Sequence, residues 1–392
     1  MTASDLDAAP TIRPAGLAEV REAMLDTAGT LLFRGGGTKL DWGAPPGEVG
    51  AVLDARAMTG VLTYDAADAT VSVQAGIPLA DLQRVLDEHD QWLAIDPPGL
   101  DAGATVGGVF AAGDSGPRRL AYGTVRDLVI GATYVLSDGT IGRTGGHVIK
   151  NVAGYDMAKL LCGSLGTLAF VAELVLRVHP LPAASITVRV PADVTAATRM
   201  SATLGAAPVE PAAVEWAEQA LWVRLTGHPD AVAAQARELP GLLGAGEVET
   251  LEGTGERDVW QRLVAALAGG DGQTVVRGAC LPTDLPAAVD GVVRAADQAG
   301  VAVDVAAHAM LGVVTARLSG GDAAAHGACV AGWRDQLGPL GGHAVVRRRL
   351  PGVDRVVDVW GPPPAAIELM RRVKRQLDPD DRCAPGRFVG GI

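Results

Sequence analysis

The sequence predicts two mixed domains of helix and strand, of the α/β or α+β class. Three observations carry that expectation. Strands and helices alternate up to residue 178, glycine-rich loops interrupt this first half at three places, and the prolines Pro180 and Pro182 break the pattern before it resumes without such loops. With 392 residues, 48% of them hydrophobic, and a mean hydropathy of +0.22, the chain is long enough to build more than one core.

Taken in order, residues 17–27 have the spacing of a short amphipathic helix, and Thr30, Leu31, Leu32 and Phe33 form a strand that runs into Arg34, Gly35, Gly36, Gly37 and Thr38. Residues 51–54 are a second strand and residues 69–74 alternate as a third. The turn Gly76-Ile77-Pro78 then places proline at the start of a helix over 79–89. Residues 127–138 read as a buried strand closed by Asp138-Gly139, with 140–143 as its hairpin partner. Residues 170–178 alternate again and stop at His179-Pro180-Leu181-Pro182, the predicted domain boundary. Beyond it come a strand over 185–190, a helix over 195–204, two short strands within 214–225 and more of both up to about Trp360. A basic amphipathic helix over 364–376 precedes the closing turns. The expected division is 1–182, 183–359 and a C-terminal segment 360–392.

A formal net charge of -12, without a long basic run, argues against nucleic-acid partners and anionic membrane surfaces. Cys162, Cys280, Cys329 and Cys383 form no CxxC pair, which argues against a zinc ribbon, an iron-sulfur cluster or a disulfide framework and for reduced thiols in a cytosol. The opening MTASDLDAAP lacks a basic and apolar leader pattern, and no run of about 18 apolar residues occurs, so neither secretion nor a direct membrane span is expected.

The chemistry points to the glycine loops. Backbone N–H groups in such turns converge on anions, because a chain without Cβ reaches positive φ and approaches phosphate closely. The first loop is Arg34 to Thr38. The second, within Pro97 to Gly123, carries Thr105, Gly107, Gly108, Ala111, Gly113, Ser115 and Gly116. The third runs Gly163-Ser164-Leu165-Gly166-Thr167. A hairpin or surface turn explains the first loop alone equally well, and 51 glycines in the chain offer a compositional account of the second. Walker A and Rossmann patterns are both missing, since GxxxxGK[ST] does not occur and no strand, GxGxxG, helix unit is followed by a suitably placed acidic residue.

RGGGTKLDW, ATVGGVFAAGDSGPRRLAYGTVRDLVIG, HVIKNVAGYDMAKLLCGSLGTLAFVAELVLRVHPLP and DPDDRCAPGRF, in this order and spacing, resemble the FAD-binding domain of the vanillyl-alcohol-oxidase (PCMH) type, and within it the FAD-binding subunits of bacterial glycolate oxidases. The resemblance covers about residues 30–182 and 360–392. It implies an α+β fold with an FAD-binding domain of two α/β subdomains, an α+β cap domain, and a C-terminal segment returning to the FAD domain. Residue by residue it implies that Arg34, Gly35, Gly36, Gly37 and Thr38 form the first pyrophosphate loop. Thr105, Gly107, Gly108, Ala111, Ser115 and Gly116, with Pro98 before them, form the second. Gly123 lies near the flavin, Val171 presents its backbone to the adenine, Lys150 stands near the pyrimidine edge, and Arg387 reaches the cofactor from the tail. Ordinary structural roles stay open for three of these: a core valine at 171, an ion pair in the Lys150 to Asp156 stretch, and a helix cap at Arg387. Thr38 stands where some relatives carry a flavin-linking His, so FAD is expected to be non-covalent.

Oxidation of a 2-hydroxy acid needs a base for the hydroxyl proton and a cation for the carboxylate. His343 with Arg347 and Arg349 is the cluster in the second domain that fits, on a strand whose alternation would put both arginines on one side; a solvated strand face is the alternative. His228, His308 and His326 read as surface or satisfied core histidines. The resemblance implies an FAD-containing subunit of a 2-hydroxy-acid dehydrogenase, cytoplasmic or peripheral at the inner face of the membrane through its partners, which are a paralogous FAD subunit and an iron-sulfur subunit. The alternatives are a stand-alone oxidase or dehydrogenase of lactate or another alcohol, a non-catalytic FAD relay, and a scaffold that has lost its cofactor.

Overall fold

The computed structural model describes residues 9–100, 102–147 and 154–392, and the chain divides into two compact units. The first comprises Met1–Ser115, Gly123–Leu181 and Pro362–Ile392; the second comprises Gly116–Tyr122 and Pro182–Gly361.

Strands of the first unit are β1 (Thr11–Ile12), β2 (Leu31–Arg34), β3 (Ala51–Asp54), β4 (Val61–Asp65), β5 (Thr70–Gln74), β6 (Gln91–Trp92), β7 (Val129–Val135), β8 (Ile141–Gly145), β9 (Phe170–Arg177) and β10 (His179–Pro180). A parallel sheet has the order β1-β3-β2, an antiparallel one β4-β5-β9-β7-β8, and β6 pairs with β10. Two cores form, and Val135, Phe170 and Ala172 of the antiparallel sheet contribute to the one beside the parallel sheet. Val20 and Met24 of the helix Leu17–Asp26 pack with Leu31 and Leu53, while Leu79, Leu82 and Leu86 of the helix Leu79–Asp87 pack with Val71, Leu174 and Leu176. Strand β9 alternates buried and half-buried along its whole length, as a strand with one covered face must. Gly139 at φ +77° and the Asp138 carboxylate accepting from Thr140 N–H close the β7–β8 hairpin.

Two stretches differ from expectation. Asp127 and Leu128, read as the start of a strand, belong to a helical turn over Val125–Leu128, because Thr124 and Asp127 make a reciprocal capping box. The glycine-rich stretch read as a loop folds centrally into the helix Val106–Ala112. The Thr105 side chain caps its start by accepting from Gly108 N–H, and Gly113 at φ +59° ends it.

Strands of the second unit are β11 (Ala184–Pro191), β12 (Ala213–Ala217), β13 (Ala220–Gly227), β14 (Glu249–Glu252), β15 (Thr274–Ala279), β16 (Ala302–His308), β17 (Val313–Ser319) and β18 (His343–Arg348). They form one antiparallel sheet in the order β14-β11-β13-β12-β16-β17-β15-β18. The Cβ direction of Gly278 on β15 points into Trp333 of the helix Ala323–Leu337, 2.6 Å away, so that face lies under a helix. On the opposite face, Arg224 of β13 binds Glu256 of the helix Gly253–Ala266. No helix among the described residues is long and apolar enough to cross a membrane.

Candidate functional site

The three glycine loops converge in the first unit. Loop 1 leaves β2 at Arg34 and lies against the segment before the helix Val106–Ala112 so closely that a side chain is impossible. A Cβ on Gly36 would stand 1.9 Å from the carbonyl oxygen of Gly103, and one on Gly35 would stand 2.1 Å from Thr105 Oγ1. Loop 3 docks on the same helix, with Gly163 and Leu165 donating backbone bonds to Phe110 and Ala111; Leu165 is held at φ +54° between Gly163 and Gly166, both also at positive φ. Two cavities of about 60 Å³ each lie between the loops and share Phe33, Arg34, Gly35, Thr105, Gly108 and Ala111. Among the described residues, no group accepts a hydrogen bond from the amides of Gly36, Gly37 or Thr38. Three open N–H groups in a turn with Gly37 at φ +76° make a cradle for an anion, which fits a pyrophosphate.

Buried ion pairs fix the loops. Lys39 Nζ, 8% exposed, lies 3.0 Å from the fully buried Asp114 carboxylate, donates to the Pro98 carbonyl at 3.0 Å and stands over Trp42. Asp114 in turn accepts from Ser115 N–H. Arg34 donates to Asp54 at 3.0 Å, so its charge is matched from behind the loop. Burial alone raises Asp54, but hydrogen bonds from Arg56 and Arg34 outweigh it and hold the carboxyl at about 2, against an ordinary 3.8. A carboxyl lowered by folding stabilises above its unfolded pKa and loses that contribution as pH falls towards its folded one. Wild type is therefore expected to lose stability between about pH 4 and pH 2 through Asp54, and Asp54→Asn to lack that component when unfolding free energy is followed across this range.

The C-terminal segment ties down loops 1 and 3. Arg387 donates to the carbonyls of Lys39 and Leu40, and Ala384 N–H donates to Leu31. Lys374, on the helix Ile367–Leu377, donates to the Thr167 and Cys383 carbonyls and pairs with Asp378 at 2.6 Å.

Of the residues expected at the cofactor, Arg34, Gly35, Gly36, Gly37, Thr38, Thr105, Gly107, Gly108, Ala111, Val171 and Arg387 line the two cavities. Pro98 and Ser115 instead take part in the Lys39–Asp114 bracing. Gly123, at φ +78°, lies where a Cβ would press on Asp127 at 2.9 Å. Gly116 falls in the second unit, and Lys150 lies outside the described residues. Burial pushes the Cys162 thiol up to about 12, so it is protonated and a poor nucleophile.

In the second unit, His343 and Arg347 lie on β18, but Arg349 follows the strand's end and pairs with Asp354 at 3.4 Å. The register shifts between Val275 and Val276, bringing Val346 and Arg348 opposite them and leaving Arg347 as the extra residue. The bulge breaks the alternation that would have set Arg347 and Arg349 on one side.

His308, expected as a surface or satisfied core histidine, has a partner that the sequence did not point to. Glu215 and His308 stand opposite each other on β12 and β16, with Nδ1 and Oε1 2.5 Å apart and the two residues 4% and 2% exposed. His326, by contrast, is a satisfied core histidine bonded to Thr274 and the Gly320 carbonyl, and His228 is exposed. Among the described residues, no group of three His, Cys, Asp or Glu is placed to hold a metal ion.

Residues 8–145 match the family described as FAD binding domain. The matched stretch holds the first two glycine loops, and FAD is the cofactor of a domain of that description. Over 225 residues it is 36% identical to glycolate oxidase subunit GlcE of Escherichia coli (strain K12), covering 57% of this chain and 63% of that protein. It is also 36% identical to glycolate oxidase subunit GlcD of Bacillus subtilis (strain 168), over 47% of this chain and 40% of that one. With the D-lactate dehydrogenase of Archaeoglobus fulgidus it shares 42% identity over 38% of this chain and 33% of that protein. The chain thus spans less than two thirds of the length of each of these curated relatives. A solved structure of alkyldihydroxyacetonephosphate synthase shares the fold over 96% of this chain and 75% of that one, with a TM-score of 0.65 at 18% identity.

Proposed function

We propose that this chain is the FAD-binding subunit of a dehydrogenase of small 2-hydroxy acids, of the glycolate or D-lactate class. The observation that carries the reading is the open-amide cradle of Gly36, Gly37 and Thr38, closed by loops 2 and 3, in a chain whose relatives are named for glycolate and D-lactate. FAD, when bound, supplies the two-electron acceptor for the substrate carbon. Gly36, Gly37 and Thr38 would hold the pyrophosphate, with Arg34, paired to Asp54, lining the same cavity, and Arg387 and Lys374 keep the loops in place. With Thr38 in the first loop and Cys162 neutral, the cofactor is held without a covalent bond.

The four cysteines lie on separate elements, so onward transfer through clusters falls to an iron-sulfur partner, with a paralogous FAD subunit completing a cytoplasmic complex that reaches the membrane through its partners. Anaerobic addition of glycolate, then of D-lactate, to the purified chain is the test. Bleaching of the flavin band near roughly 450 nm is the expected result. A band unchanged by both acids would contradict oxidation on this chain.

A further inference from the structure

The segment Pro362–Ile392 crosses the first unit as a strap. Val373 and Leu377 of its helix Ile367–Leu377 pack against one core and Cys383 enters the other, while its further ties are hydrogen bonds to main-chain groups. Three cations make many of them. Arg382 donates to the carbonyls of Thr27, Gly29 and Ser137, Arg387 to those of Lys39 and Leu40, and Lys374 to that of Thr167. Leu31 is bracketed as well, its N–H donating to the Arg382 carbonyl and its own carbonyl accepting from Ala384 N–H.

Two features set this strap apart from ordinary packing. It is strained, because Asp381 at φ +51° and Ala384 at φ +42° hold side chains in the left-handed region that favours glycine. It is also part of the cradle wall, since Arg387 lines the cavity formed by loop 1 with Thr105, Gly108 and Leu165. A polar seam under strain opens at lower cost than an apolar core, so the strap can lift while both cores stay closed. Lifting it frees the Lys39 and Leu40 carbonyls and withdraws Arg387 from the cavity.

We infer that the strap and the cofactor's pyrophosphate stabilise one another across loop 1: a docked strap raises the affinity of the cradle, and an occupied cradle holds the strap down. The coupling is reciprocal, because both act on the same equilibrium between an open and a closed loop. Arg382 is a positioning residue for it. Its acceptors, Thr27, Gly29 and Ser137, line neither cavity between the loops, so its effect on the cofactor passes through the strap. The inference goes beyond the cradle proposed above and rests on it.

Hydrogen–deuterium exchange on the full chain, with FAD bound and after its removal, is the test. It is read over residues 378–392 and 31–47, with 220–227 of β13 as the control. Removal of FAD is expected to speed exchange by roughly tenfold in the strap and in loop 1, and to leave β13 unchanged. Arg382→Ala is expected to release FAD about fivefold faster than wild type, again with β13 unchanged. Faster exchange in 31–47 with none in 378–392 would overturn the coupling and keep the cradle. Unchanged exchange in both segments on removal of FAD would overturn the cradle, and the coupling with it. A folded Arg382→Ala chain that releases FAD at the wild-type rate would also overturn the coupling; if that variant does not fold, exchange in the wild type decides.

Discussion

Replacing Gly36 with alanine is expected to yield a folded chain that loses FAD on gel filtration, with binding weakened by roughly 100-fold, equivalent to about two lost charge-assisted hydrogen bonds. The cause is geometric. The new Cβ would lie 1.9 Å from the Gly103 carbonyl oxygen and 2.8 Å from its carbon, both backbone atoms that cannot rotate away. Loop 1 must lift off the segment leading to Thr105, and the amides of Gly36, Gly37 and Thr38 then no longer point at one anion. Gly16, whose added Cβ would meet nothing within 4 Å, is the control, and Gly16→Ala is expected to retain its flavin. FAD per chain, measured after release into acid, checks the pair; full FAD content in Gly36→Ala would show that the loop is an ordinary turn.

The second large effect concerns the Lys39–Asp114 pair. Lys39→Met leaves the Asp114 carboxylate fully buried without its cation and is expected to destabilise the first unit by about 3–5 kcal/mol. Adding Asp114→Asn is expected to recover much of that, because the amide oxygen still accepts from Ser115 N–H while the buried charge is gone. Denaturant unfolding of the single and double variants checks it. A Lys39→Met chain within about 0.5 kcal/mol of wild type would mean that the pair is solvated and does not brace the loops.

These two predictions differ in how visible they were in the sequence. The three glycine loops were legible because glycine marks places where backbone meets backbone, and loop 1 does meet the Gly103 carbonyl at such a place. The helices near residues 17 and 79 were legible from periodicity, since each presents one face to a single core. The bracing was not. Lys39 and Asp114 lie on different loops, and a lone Lys or Asp in a turn carries no sign that it will be buried. The helix Val106–Ala112 was hidden because VGGVFAA reads as flexible unless Thr105 is recognised as its cap. In the second unit, Glu215 and His308 are 93 residues apart in sequence and meet only through strand register. The Val275–Val276 bulge interrupts the simple alternation on which the reading of Arg347 and Arg349 relied.

The central claim is that this chain binds FAD in the cradle between loops 1, 2 and 3, and its visible spectrum after purification is the most direct test. Flavin bands near roughly 370 and 450 nm are expected, with a yellow supernatant above a white pellet after acid precipitation. A colourless chain that takes up no added FAD would contradict the cradle. Colour remaining in the acid pellet would contradict non-covalent binding.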